Sequence, residues 1–222
     1  MPKQSPVPPE ADRLAREITR LVSRNPGDRS VLRHSLGQDP EHVAVGVHRI
    51  IVPLLPADPS EHVERAYYAV AALIAAQPRA ARDQAVISAA AAGTADETAA
   101  DRPPAGNGTP GAVRRANLGC SLARAVHQGG SAKTMEDRLQ LLARQDADGI
   151  YRHLPRLILQ LRGDQVRIDW GVLARDLARW GNQPRLVAKE WTQEFYRTAE
   201  RLTGEKNRKA EQADAQAGNE EA

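Results

Sequence analysis

The sequence contains few of the residues on which several protein classes depend. Aromatic residues make up only 4% of the 222 residues, and Cys120 is the single cysteine. A lone cysteine cannot form a disulfide within the chain, and no uncharged apolar run approaches the roughly 20 residues that a membrane helix needs. The first ten residues are polar and proline-rich and lack the apolar segment of a signal peptide. These absences favour a reduced, cytoplasmic setting and predict no contact with a membrane.

The pattern that a β-sheet requires is also missing. Val, Ile and Thr never alternate with polar residues over the length of a strand. Much of the 41% hydrophobic content is alanine, which favours helix and fills little volume. Apolar residues recur instead at helical spacing. We therefore predict an all-α fold of two small helical bundles joined by a flexible linker.

Composition divides the chain into four segments. Residues 10–88 predict an N-terminal helical bundle, and residues 113–202 predict a C-terminal one. Residues 89–112 are rich in Ala, Gly, Pro and Thr and have almost no large apolar side chain, so they predict a disordered linker or insertion. Residues 203–222 are charged and alanine-rich and predict a disordered tail.

Capping residues and proline indicate where individual helices begin. Asp28 and Asp169 each stand in the position of an N-cap before an apolar-periodic segment. Thr134 and Asp137 have the spacing of a capping box. Pro155 predicts either the first turn of a helix or a kink within one.

The stretch RIDWGVLARDLARW, residues 167–180, separates apolar from charged positions on a helical wheel. Trp170 and Trp180 lie on its apolar stripe, and Trp191 lies on the stripe of the following helix, so we assign all three to the core rather than to base stacking. Arg175 and Arg179 lie off the stripe and are expected at the surface.

No catalytic or metal-binding pattern in the sequence has the neighbouring residues or elements that its chemistry requires. GNGTPG, residues 106–111, matches a dinucleotide-binding glycine pattern but lacks the strand before it and the helix after it. DADG, residues 146–149, resembles a calcium loop, but Arg144 and Pro155 occupy its ligand positions. A nucleophile formed by Cys120 and a histidine from elsewhere in the fold remains an alternative, although we favour Cys120 as a buried small residue of the core. We therefore expect no enzyme, no cofactor and no metal ion.

Arginine is the most informative feature of the sequence. The net charge is only +3, but residues 113–202 carry 16 basic and 10 acidic side chains, a net charge of +6. Because guanidinium groups bind phosphate in a bidentate manner and stack on bases, this surplus predicts a surface that follows a nucleic-acid backbone. The alternative is a set of solvated helix faces paired with acids. The charge pattern alone points to Lys133, Arg152, Arg156 and Arg185 as candidates.

The segment IDWGVLARDLARWG, followed by VAKEWTQEFY, resembles the C-terminal signature of the CasB family, the small subunits of the type I-E CRISPR Cascade complex. Three further segments are similar to family elements in the same order: GDRSVLRHSLG, YYAVAALIAAQP, and NLGCSLARAV with the EDRLQLLARQD that follows it. The resemblance covers roughly residues 10–82 and 113–202. Arg29, Arg33, Arg138 and Arg144 match basic positions of the family.

The resemblance implies a non-catalytic, all-helical subunit of a crRNA-guided surveillance complex in antiviral defence. Its implied partners are crRNA, target and non-target DNA, the backbone and large subunits of Cascade, and a second copy of itself. It would stabilise the R-loop by holding the displaced non-target strand. The alternative function is a helical interaction scaffold whose arginines contact acidic protein surfaces, with no nucleic-acid role.

Overall fold

A computed structural model describes residues 6–83 and 115–220 of the chain. Within these ranges every regular element is a helix, and no strand is present. The predicted all-α fold is therefore confirmed. The predicted linker, residues 89–112, lies outside the described residues.

The described residues form nine α-helices. Four belong to the N-terminal half: α1 (Pro9–Arg24), α2 (Pro26–His34), α3 (Val45–Ile51) and α4 (Glu61–Ala76). Short 3-10 turns, Pro40–His42 and Val52–Leu54, flank α3. The C-terminal half contains α5 (Leu118–His127), α6 (Ala132–Ala143), α7 (Gly149–Gly163), α8 (Trp170–Trp180) and α9 (Pro184–Glu220).

Asp169 is the N-cap of α8, as predicted, and its Oδ1 accepts a hydrogen bond from the Val172 N–H at 3.1 Å. The predicted cap at Asp28 is wrong, because Asn25 caps α2 and Asp28 lies in the first turn. Pro26 accounts for the earlier start, since its fixed φ and missing N–H suit the first position of a helix.

A further boundary prediction, at the start of α6, differs from the structure. Ser131 caps α6, and its Oγ accepts a hydrogen bond from the Thr134 N–H at 3.3 Å. The capping box of Thr134 and Asp137 is therefore wrong, because both residues lie inside the helix. Of the two positions predicted for Pro155, the structure has the one within a helix, since Pro155 lies in the interior of α7.

The last helix extends through the segment predicted to be a disordered tail. Residues 203–220 continue α9 as far as Glu220. The reason is local, because Ala, Glu, Lys, Arg and Gln are good helix formers and the packed first half of α9 already supplies the nucleus. Low apolar content therefore does not by itself predict the absence of a helix.

The core is one hydrophobic cluster that includes residues of both halves of the chain. Helix α8 packs against α1 and α4, and α9 packs against α5. The predicted division into two bundles is not confirmed by this arrangement. Trp180 and Trp191 are fully buried with ring centroids 4.9 Å apart, while Trp170 is partly buried against the cluster. The three tryptophans belong to the core, as predicted.

Gly119 allows α5 and α9 to approach at the closest point of their contact. A Cβ atom at this position would overlap the carbonyl oxygen of Trp191 and lie 3.0 Å from the Phe195 nitrogen. Because the obstacle is helix backbone, no side-chain rotation can make room. The NLGCSL segment therefore contributes a backbone contact to the fold.

We predict that Gly119→Ala lowers the free energy of unfolding by about 2–4 kcal/mol, because α5 and α9 must separate. Urea unfolding followed by circular dichroism measures the change. Gly163→Ala is the matched control, since nothing lies within 4 Å of the Cβ position there. The control should change stability by no more than about 0.5 kcal/mol. Equal effects of the two substitutions would contradict the close helix contact.

Candidate nucleic-acid interface

Arg115 is committed to the fold by two carboxylates. Its guanidinium donates to Asp12 of α1 at 2.7 and 2.8 Å and to Asp169 at 2.8 and 2.5 Å. The hydrogen bonds with Asp12 and then Asp169 raise the pKa of Arg115. A Cβ atom at Gly171 would overlap a carboxylate oxygen of Asp12. The glycine that follows Asp169 and Trp170 therefore leaves space for the bridge from Arg115 to its two carboxylates. The bridge joins α1 to the start of α8.

A second charged group is buried between α8 and α9. Arg175 is only 5% exposed and Asp176 only 1%. Asp176 accepts from the Arg175 guanidinium at 2.6 and 2.9 Å and from the Trp191 indole N–H at 2.7 Å. Arg179 donates to both carboxylate oxygens of Glu190 at 2.8 and 2.9 Å. The expectation that Arg175 and Arg179 lie at the surface is wrong, because α9 covers the face of α8 that the apolar stripe leaves free.

Burial raises the pKa of the Asp176 carboxyl. The charge of Arg175 and the hydrogen bond from Trp191 oppose this rise. Both partners therefore favour the ionised form of this buried carboxyl.

The eight candidate residues fall into two groups in the structure. Five arginines are exposed and have no carboxylate within 4 Å among the described residues: Arg33, Arg144, Arg152, Arg156 and Arg185. The other three are engaged within the protein. Lys133 pairs with Asp137 at 3.2 Å, Arg138 donates to the Gln160 amide oxygen, and Arg29 donates to the Ala75 carbonyl at 3.3 Å.

Three of the predicted residues form a positive stripe along α7, which we call the α7 stripe: Arg152 and Arg156 of α7, and Arg138 of the neighbouring α6. Arg152, Arg156 and Gln160 are spaced four apart and therefore share one helix face. Arg138 of α6 joins that face through its hydrogen bond to Gln160. Three positive side chains thus follow the length of α7.

Two arginines that the sequence analysis missed extend the region around Arg29. Burial and then the charge of Arg29 lower the pKa of Arg82, and Arg79 lowers it further, while Asp83 raises it. The Arg82 Nε is buried and has no hydrogen-bond partner among the described residues. We call Arg29, Arg79 and Arg82 the α4-end cluster. Its signal in the sequence was the PRAARD segment that directly follows α4.

Arg162 connects the α4-end cluster to α7. It is 3% exposed and donates to the Gln77 side chain at 2.7 Å, the Ala81 carbonyl at 2.7 Å and the Val166 carbonyl at 2.6 Å. These acceptors are all neutral, and burial followed by the charge of Arg167 lowers the pKa of Arg162. This burial was not predictable from apolar spacing, because Arg162 follows Leu161 at the edge of the apolar stripe. The α7 end and the α4-end cluster therefore adjoin.

The described residues match none of the patterns of a metal site, a Cys-His nucleophile or a membrane helix. No group of three or more His, Cys, Asp and Glu side chains in residues 6–83 and 115–220 could hold a metal ion. The Cys120 thiol lies beside Glu194 and Thr198, at 3.8 and 3.4 Å, rather than beside a histidine. Among the helices described, none combines the length and the hydropathy needed to cross a membrane.

Comparison with known proteins places the sequence in one family. The model of the family described as CRISPR-associated protein Cse2 matches residues 28–196. The chain belongs to this family. This match, together with 45% identity to a chain of a CRISPR RNA-guided surveillance complex, confirms the resemblance to the CasB family. A search of curated proteins finds no match.

Solved structures similar to this Cse2 family chain include parts of large assemblies. A chain of a structure described as a CRISPR RNA-guided surveillance complex is 45% identical, with a TM-score of 0.72, and the match covers 88% of this chain and 96% of that chain. A pre-nicking form gives 46% identity, a TM-score of 0.71, and coverage of 88% and 97%. CasB of M. ruber, 22% identical with a TM-score of 0.63 and coverage of 90% and 98%, shares the fold.

The signature by which this Cse2 family chain was recognised consists mainly of structural residues. Asp169 caps α8 and holds Arg115, Asp176 binds Trp191, and Trp180 stacks on Trp191. The signature therefore specifies how α8 is packed. It carries no information about the exposed arginines.

We predict that Asp176→Asn destabilises the protein by about 3 kcal/mol or more, because it removes the carboxylate of a buried ion pair. Chemical unfolding followed by tryptophan fluorescence measures the change. Asp137→Asn is the matched control, because it breaks an exposed pair that contributes about 0.5 kcal/mol or less. A loss no larger than that of the control would contradict the structural role of Asp176.

Proposed function

We propose that this chain is the non-catalytic small subunit of a crRNA-guided Cascade surveillance complex and that it stabilises the R-loop by binding the displaced non-target DNA strand. Membership of the Cse2 family and 45% identity to a chain of a surveillance complex support the assignment to such a complex. Its partners would be crRNA, target DNA, the backbone and large subunits, and a second copy of itself.

The observation that carries the nucleic-acid role is the α4-end cluster. The charges of Arg29 and Arg79 both disfavour the charge of Arg82. Asp83 is the single carboxylate that offsets them in the described surroundings of Arg82. A phosphate group placed beside these arginines would relieve the repulsion between their charges. The buried charge of Arg162 adds to the positive potential beneath this surface.

The surface is suited to binding without base recognition. Trp180 and Trp191 are buried and cannot stack on bases. Phosphate contacts position a strand but do not distinguish its sequence. Opening a duplex for a guide is a nearly balanced exchange of base pairs, so modest contacts to the displaced strand are enough to favour the open state.

We predict that the triple variant Arg33→Gln, Arg79→Gln and Arg82→Gln weakens binding of single-stranded DNA by about tenfold or more at low salt, because three positive charges are removed of which only Arg79 has a carboxylate partner, Asp83 at 3.7 Å. Fluorescence anisotropy with a labelled oligonucleotide measures the affinity. In the assembled complex the same variant should lower the yield of R-loop on a supercoiled plasmid.

The matched control removes the same number of charges from arginines that have their own carboxylate partners. These are Arg20, Arg49 and Arg201, which pair with Glu17, Asp28 and Glu205 at 3.1, 2.9 and 2.7 Å. Their change to Gln should weaken DNA binding by less than about threefold. If neither triple variant affects DNA binding or R-loop yield, the interaction-scaffold function takes precedence.

We also predict that Arg152→Gln with Arg156→Gln reduces the salt dependence of single-stranded DNA binding. Each phosphate contact contributes about 0.7 to the slope of log affinity against log salt, so losing two contacts should reduce the slope by about 1.4. Both residues are exposed, and helicity should be unchanged. A salt titration of the affinity provides the slope. An unchanged slope would remove the α7 stripe from the interface.

A further inference from the structure

A groove of about 700 Å³ lies between α1, the start of α2, and α3 with the turn that follows it. It extends along α1 from Arg13 to Arg24, a distance of ~16 Å at the rise of an α-helix. This length corresponds to about three helical turns. The groove is separate from the α7 stripe and from the α4-end cluster.

Arginines line the edges of the groove. Arg20 and Arg49 are paired with Glu17 and Asp28, which also line it. Arg13 and Arg24 are exposed and have no carboxylate within 4 Å in the described part of the chain. The two unpaired arginines lie near opposite ends of the groove. Its edges therefore carry a net positive charge that the protein does not compensate.

Apolar side chains form the floor and continue outward over α3. Leu21, Ile50 and Leu54 line the groove and are only partly buried. Val45 is 84% exposed and Val52 is 54% exposed. They lie four residues before and three residues after Arg49, so they share its face of the helix. Water contact with this many aliphatic groups on one face is unfavourable, and a docked partner would remove it.

The composition of the groove favours a protein over a nucleic acid. Its floor is aliphatic and has no aromatic ring among the residues that line it, whereas single strands bind by stacking as well as by charge. Glu17 and Asp28 would repel a continuous row of phosphates. A helix with separate apolar and acidic side chains can place leucines on the floor and carboxylates beside the unpaired arginines.

We propose that this groove docks one amphipathic helix of a protein partner, with acidic side chains that pair with Arg13 and Arg24 and apolar side chains that cover Leu21, Ile50 and Leu54. The surface would attach the chain to a protein component, while the arginines discussed above contact nucleic acid. The two functions then reside on different faces and can be lost independently.

Three synthetic helical peptides of about four turns, roughly 15 residues each, test the proposal with the full-length chain. The first carries leucines at i, i+3, i+4 and i+7 with glutamates beside them; the second has serines for the leucines, and the third has lysines for the glutamates. Fluorescence anisotropy should show binding of the first peptide only. Failure of the first peptide to bind, or equal binding of the second or third, would overturn the proposal.

The double variant Arg13→Gln and Arg24→Gln should weaken binding of the first peptide by at least about fivefold, because two charge contacts are lost. Arg16→Gln with Arg201→Gln is the matched control, since Arg16 lies on α1 outside the groove and Arg201 on α9. The control should change peptide binding by less than about twofold.

Both double variants should affect single-stranded DNA equally, because the groove takes no part in DNA binding. If DNA displaces the peptide and the groove variant alone loses DNA affinity, the groove binds nucleic acid and the protein partner is excluded. Loss of DNA binding in the triple variant of Arg33, Arg79 and Arg82, with intact peptide binding, separates the nucleic-acid role from this proposal.

Discussion

The fold depends on how α8 is held between its neighbours. Its apolar stripe packs against α1 and α4, and its opposite side carries Asp176, which must find polar partners because it is almost fully buried. Arg175 and the Trp191 indole supply these partners. A buried ion pair contributes little net stability, but an unpaired one is very costly. Only one orientation of α8 about its own axis therefore buries the apolar stripe and also pairs the Asp176 carboxylate.

The same constraint explains why so many arginines of the C-terminal half are unavailable to a ligand. Arg115, Arg175 and Arg179 are engaged with carboxylates that fix α1, α8 and α9 relative to one another. Counting charges along the sequence includes them in the positive surplus. The structure moves them into the framework. Exposed arginines remain on α7 and at Arg144 and Arg185, and the N-terminal half adds Arg33 and the end of α4. Because each ion pair uses one charge of each sign, the net charge is unchanged, but fewer arginines are accessible to a ligand than the sequence count suggests.

The sequence predicted the helices and most of the core, because apolar spacing reports the buried face of each helix. Leu14, Ile18 and Val22 are buried as a stripe of α1, and Asp169 caps α8. Spacing does not reveal how many neighbours cover a helix, so the burial of Arg175 was not predictable. The α4-end cluster was missed for a related reason: Arg29 and Arg82 are 53 positions apart in the numbering and become neighbours only when α2 packs against α4.

Arginines that bind a ligand and arginines that hold the fold differ in what their replacement costs. Removing a partner from a buried network leaves an unpaired charge inside the protein, which destabilises it. Arg33, Arg152 and Arg156 are exposed and have no carboxylate within 4 Å among the residues described, so replacing them breaks no ion pair of the folded state. Their replacement should therefore leave stability unchanged, and under the proposed function it changes the strength of nucleic-acid binding alone. Such a surface can be adjusted one guanidinium at a time, while Asp169, Asp176 and the packed tryptophans keep the helices in place.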